Sequence, residues 1–142
     1  MADPRAFISF DFDHDESQRN LFAGQSKHSK TPFSIEDWSS KEKLLQSQWE
    51  KLIKEKINKC HMLIVLVGKY MAGATGVAKE ITMAKEQDVP VFGVYVGGAN
   101  SSSNLPAGLS RGQVIPWDWD KIASAIDQAM KEGKNNSVKR FF

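Results

Sequence analysis

Glu80 is the side chain of this sequence whose setting best suits chemistry. It closes the segment Gly68-Lys69-Tyr70-Met71-Ala72-Gly73-Ala74-Thr75-Gly76-Val77-Ala78-Lys79-Glu80, directly after the most apolar run, His61 to Val67. That uncharged run reads as a strand buried on both faces of a parallel sheet. The loop that follows such a strand lines the carboxyl edge, where open α/β sheets bind ligands. With Thr75 as N-cap, Glu80 falls one turn into a helix, about 60° from Val77 around the axis and about 60–100° from Ile81. The carboxylate therefore borders the apolar face. A solvent-facing first-turn Glu that complements the helix dipole is the ordinary alternative.

Other chemistries of this kind of architecture lack their residues. A P-loop needs a Gly five positions before Gly68-Lys69, and Leu63 stands there. A Gly-x-Gly-x-x-Gly turn after the first strand is replaced by Ser9-Phe10-Asp11-Phe12-Asp13. A phosphoacceptor receiver would carry an aspartate at the end of the central strand, where Gly68 and Lys69 stand instead. Asp11, Asp13 and Asp15 match the opening of a calcium loop, but Glu16 occupies its obligatory Gly position and Phe22 its terminal Glu position. The cluster Asp11 to Glu16 is expected to be a solvated turn, with no metal. His28 and His61 have no Ser or Cys partner at triad-like intervals. Cys60 reads as a small core residue.

The elements that position Glu80 follow from the pattern. Ala6 to Phe10 is a short first strand, ended by the acidic cluster; Ser17 to Lys27 is a helical candidate anchored by Leu21 and Phe22; Thr31 to Ile35 is a second strand. Ser39 and Glu42 form a capping box for a helix carrying Leu45, Trp49, Leu52, Ile53 and Ile57 at helical spacing. After the central strand and the Glu80 helix, Pro90 opens the strand Val91 to Val96, and Gln113 to Trp117 is a fifth. Asp118 caps a last helix with Ile122, Ala125, Ile126, Ala129 and Met130 on one face, ending at Gly133. Alternating strands and helices predict a doubly wound, flavodoxin-like α/β fold, with about five parallel strands and helices on both faces.

With 142 residues, 41% of them hydrophobic, the chain suits one domain, expected over residues 1–133 with a flexible tail at 134–142. A net charge of +2 from interspersed acids and bases argues against a nucleic acid or an anionic membrane as partner. The single cysteine excludes an internal disulfide framework, and the run Met62 to Val67 is too short to cross a bilayer. No signal segment opens the chain, so a cytoplasmic location is expected.

Four segments together resemble the TIR-like domains of bacteria (Toll/interleukin receptor homology), especially the stand-alone subunits of Thoeris antiphage systems. Phe7-Ile8-Ser9-Phe10 resembles the family's opening strand, and Phe33-Ser34-Ile35-Glu36-Asp37-Trp38-Ser39 its second strand and following loop. Leu63-Ile64-Val65-Leu66-Val67-Gly68 resembles the central strand, and Val77-Ala78-Lys79-Glu80-Ile81 the helix with the catalytic glutamate. The resemblance implies that Glu80 promotes cleavage of the nicotinamide–ribose bond of NAD+, yielding ADP-ribose or a cyclised signalling nucleotide that a separate effector reads. NAD+ is then a substrate, and no cofactor is implied. Substrate contacts are expected from Ser9, Phe10 and Asp11, from Asp37 and Trp38, and from Gly68, Lys69 and Tyr70. Lys69 and backbone amides would meet the diphosphate, while Phe10, Trp38 or Tyr70 would stack on a ring.

The chain departs from the family at Gly73-Ala74-Thr75-Gly76, where many members carry an aromatic, and in its short Glu36 to Ser40 loop. In TIR domains that loop often docks on a neighbour, so self-association is implied as well. The alternatives are a non-catalytic protein-interaction module of the same fold, or a receptor for a free nucleotide.

Overall fold

The computed structural model describes residues 4–11, 14–27, 36–38, 46–71 and 75–133, and for residues 36–38, 46 and 47 the backbone alone. Its centre is the strand of the apolar run. Met62–Val67 has all six residues buried, as an uncharged strand between two helical layers must be. In chain order the elements are β1 (Arg5–Ser9), α1 (Glu16–Ser26), β2 (Glu36–Trp38), α2 (Gln46–Asn58), β3 (Met62–Val67), α3 (Thr75–Glu86), β4 (Val91–Tyr95), β5 (Val114–Ile115) and α4 (Trp119–Ala129).

Every strand pairing is parallel, and the sheet order is β2-β1-β3-β4-β5. The chain therefore moves outward from β1 to β2, then crosses back to β3 and continues the other way. With right-handed crossovers, that reversal puts α1 on one face of the sheet and α2 and α3 on the other. The packing agrees. Ile8, Phe10, Ile64, Leu66 and Val94 form one core with Phe22 of α1 and Ile122 and Ile126 of α4. Phe7, Leu63, Val65 and Val67 form the second with Ile53 and Ile57 of α2 and Val77, Ile81 and Ala84 of α3. Adjacent residues of a strand thus serve opposite cores.

Several boundaries differ from expectation. The described second strand is Glu36–Trp38, paired with Arg5 to Phe7, so Asp37 and Trp38 belong to a strand and not to the loop after it. An edge strand tolerates such charges because one side is open. The expected strand at 31–35, with the whole segment 28–35, and the capping box at 39 and 42 lie outside the described residues. Thr75 is the first residue of α3 itself. The last helix ends at Ala129, four residues before Gly133, after starting on an Asp118 carboxylate that accepts from the Asp120 amide at 3.0 Å. Residues 134–142 lie outside the described residues.

Candidate active site

Glu80 sits on the sheet-facing stripe of α3. Val77, Ile81 and Ala84 are its neighbours there, at the spacings that place residues on one helical face. The acid is only 6% exposed. Across from it stands Ser9, the last residue of β1, which shares the face of Phe7 by strand alternation. The Ser9 hydroxyl donates to Glu80 Oε1 at 2.5 Å. Glu80 therefore joins the carboxyl end of β1 to a helix that starts beyond the end of β3.

The electrostatics are those of a buried acid. Loss of water pushes the Glu80 carboxyl up to about 8, against the opposing pull of the Ser9 hydrogen bond. At pH 7 the group holds its proton. A positive charge placed next to it would reverse that preference, because an opposite charge favours the ionised form.

The crest of the sheet carries a second set of contacts. The Tyr70 ring, 56% exposed, stacks on His14 with centroids 4.1 Å apart. His14 Nδ1 lies 2.7 Å from Asp11 Oδ2. The loops after β1 and β3 are thus linked through Asp11, His14 and Tyr70, two of which were expected site residues and one of which was not.

The remaining expected residues disperse. Phe10 is buried in the core beneath α1 and α4, on the face opposite to Ser9 and Glu80, since it follows Ser9 by one residue. Its ring packs the core there. Lys69 is exposed, and its chain runs over the turn after β4, with Nζ 3.2 Å from where a Cβ at Gly98 would stand. Asp37 and Trp38 are placed by their backbones next to Ala6 and Phe7; their side chains lie outside the description.

Gly68 has a tight neighbour that the sequence did not single out. A Cβ at Gly68 would stand 2.2 Å from Asp15 Oδ2, so only a residue without a side chain fits under that carboxylate. Asp15 is 4% exposed. The acidic segment is therefore not a solvated turn throughout: His14 and Glu16 are exposed, while Asp15 is turned inward against β3. The only available signal was its place just before a helix, which suggests a cap rather than burial.

Two cavities lie away from these residues. One, of about 580 Å³, is a groove between α2 and α3 lined by Glu50, Lys54, Lys79 and Met83 among others, with Lys79 paired to Glu50 at 3.0 Å. The other, of about 290 Å³, lies at the amino edge around Asp88, Pro90 and Gly133. Neither is lined by Glu80. Among the described residues, no group of three His, Cys, Asp or Glu side chains could hold a metal ion, and no helix is long and apolar enough to cross a membrane.

Comparison with known proteins bears on this arrangement. No curated protein matches the chain. A crystal structure of a prokaryotic SEFIR domain is similar at 14% identity and a TM-score of 0.49, with 88% of each chain covered. The model of the family described as Thoeris protein ThsB, TIR-like domain, matches residues 7–101, which run from β1 past β4 and take in Ser9, Gly68 and Glu80. That match spans well over half of the sequence, and the chain belongs to the TIR-like domain family of the Thoeris protein ThsB.

Proposed function

We propose that this protein cleaves the nicotinamide–ribose bond of NAD+, as a glycohydrolase or cyclase that makes an ADP-ribose-type signalling nucleotide in antiphage defence. The observation that carries the reading is the buried Glu80 carboxyl, fixed by the Ser9 hydroxyl at the carboxyl edge of the sheet. Breaking the bond sends its electron pair to the nicotinamide ring, which leaves neutral and needs no general acid. Positive charge remains on the ribose carbon. A fixed carboxylate in a dry site stabilises that charge far better than water-exposed acids do.

The raised Glu80 affinity for protons fits a step that begins with substrate. The nicotinamide of NAD+ is cationic, so its arrival favours loss of the Glu80 proton. Ser9 holds one carboxylate oxygen, and the second is left to face the ribose. Water, or a nucleophile within the substrate for a cyclic product, then bonds to the ribose carbon and gives up its proton to a base, a role Glu80 can fill.

Nicotinamide release from NAD+ by the purified protein, with and without an infection-derived trigger, is the test. Glu80→Gln is expected to lower kcat by about 10²–10³-fold, the scale of removing one preorganised electrostatic contact. For the wild type, kcat/KM is expected to rise with pH and level off above about pH 8, where the free enzyme's Glu80 ionises. Equal turnover by wild type and Glu80→Gln would overturn the assignment.

A partner-binding module without chemistry has one observation in its favour: both cavities named above lie away from Glu80. Titration with NAD+ separates the two readings, since a pure scaffold binds none.

A further inference from the structure

Asp15 does not do what its place in the chain suggests. It is the N-cap residue of α1, yet its side chain makes no capping hydrogen bond. The carboxylate turns instead over the end of β3, against Gly68, with Oδ1 3.9 Å from where a Cβ at Gly97 would stand beyond β4. Oδ2 is buried without a hydrogen-bond partner among the described residues. A polar atom in that condition costs free energy that a donor from a ligand would recover.

The kind of donor is constrained. Burial, and then the Asp11 carboxylate nearby, push the Asp15 carboxyl above its ordinary range, with His14 pulling the other way. The spot therefore disfavours anions and suits neutral hydroxyl or amide donors. It also lies at the switch point between β1 and β3, where open α/β sheets take their ligands. A carboxylate at such an edge is suited to the hydroxyls of a ribose.

The separation from Glu80 decides which ribose. Ser9 pairs with Val65, three residues before Gly68, so the positions that the two acids rest against, Ser9 for Glu80 and Gly68 for Asp15, stand about 10 Å apart along the strand direction and point to opposite faces of the sheet by strand alternation. One sugar cannot touch both. Two nucleosides joined by a diphosphate can.

We propose that Asp15 binds the hydroxyls of the adenosine ribose of a dinucleotide whose other ribose lies at Glu80. The inference rests on the reading that this edge accepts NAD+, and it adds a specificity element to it. A 2′-phosphate on that ribose would bring negative charge onto Asp15 and would be rejected.

Calorimetry with ADP-ribose tests this without any turnover, because the probe keeps both riboses and the diphosphate but has no bond to cleave. Asp15→Asn is expected to bind it about 10–100-fold more weakly, the loss expected for a hydrogen bond to a charged group. Gly68→Ala, whose new methyl group must displace the same carboxylate, is expected to show a comparable loss, with thermal melting confirming that both variants fold. Wild type is expected to prefer ADP-ribose over its 2′-phosphate by tenfold or more, and Asp15→Asn to lose most of that preference. Binding by both variants within twofold of wild type, equal wild-type affinity for the two probes, or no wild-type binding at all would overturn the proposal. Failure of nicotinamide release with Asp15-dependent binding intact would remove the enzymatic reading alone; turnover with Asp15-independent binding would remove this one alone.

Discussion

At the scale of single residues, Glu80 couples function to stability through its proton. Its folded-state pKa is raised to about 8, whereas the unfolded chain titrates near 4.5. Between those values the unfolded state releases a proton that the folded state keeps, so stability falls as pH rises through this window and the contribution is gone above it. Urea unfolding is expected to show the wild type losing about 3.5 kcal/mol more than Glu80→Gln between pH 5 and pH 8. Parallel pH profiles for the two proteins would show that Glu80 is ionised in the resting fold. The presence of an acid beside the apolar stripe was legible from spacing, because helical geometry fixes where the side chain after Val77, Ala78 and Lys79 must point. Its protonation was not, because that comes from burial against distant segments of the sheet, which outweighs the opposing hydrogen bond from Ser9, 71 positions away.

At the scale of elements, α3 is what keeps the acid dry. Ile81 is fully buried against the sheet beside Glu80. Ile81→Ala is expected to cost about 2–5 kcal/mol in chemical unfolding, the range for a buried aliphatic truncated to alanine, and to lower nicotinamide release as water reaches the carboxyl. Phe22→Ala removes a side chain of the opposite core and is expected to destabilise the protein by about 3–5 kcal/mol with a smaller effect on turnover per folded molecule. Central strands were readable because burial on both faces permits only apolar residues. The three-residue β2 was not readable, since Glu36-Asp37-Trp38 has no apolar alternation and is a strand only because β1 offers it an edge. The start of α3 was placed one residue late for a related reason: Thr75 is a fit cap by type, yet the helix already includes it.

At the scale of the whole molecule, the order β2-β1-β3-β4-β5 brings together the chain segments after β1 and β3. This is why Asp11, His14 and Tyr70 meet, and why Asp15 rests on Gly68. Self-association was expected from the family resemblance of the Glu36 to Ser40 loop, and we propose that it is part of the function. Specific activity is then expected to rise with protein concentration in parallel with the assembled fraction measured by sedimentation. Constant specific activity across the dissociation range would show that one copy is sufficient.

Composition and periodicity alone determined the alternating α/β architecture, the buried central strand and the acid at its carboxyl edge, because burial on a helix or strand leaves a mark in the local pattern. They also determined the order in which the elements occur. Tertiary structure alone decided that Ser9 holds Glu80, that Phe10 belongs to the other core, and that Asp15 is buried instead of capping. Each of those outcomes turns on which face a residue presents to a distant segment, and a one-residue step along a strand reverses it.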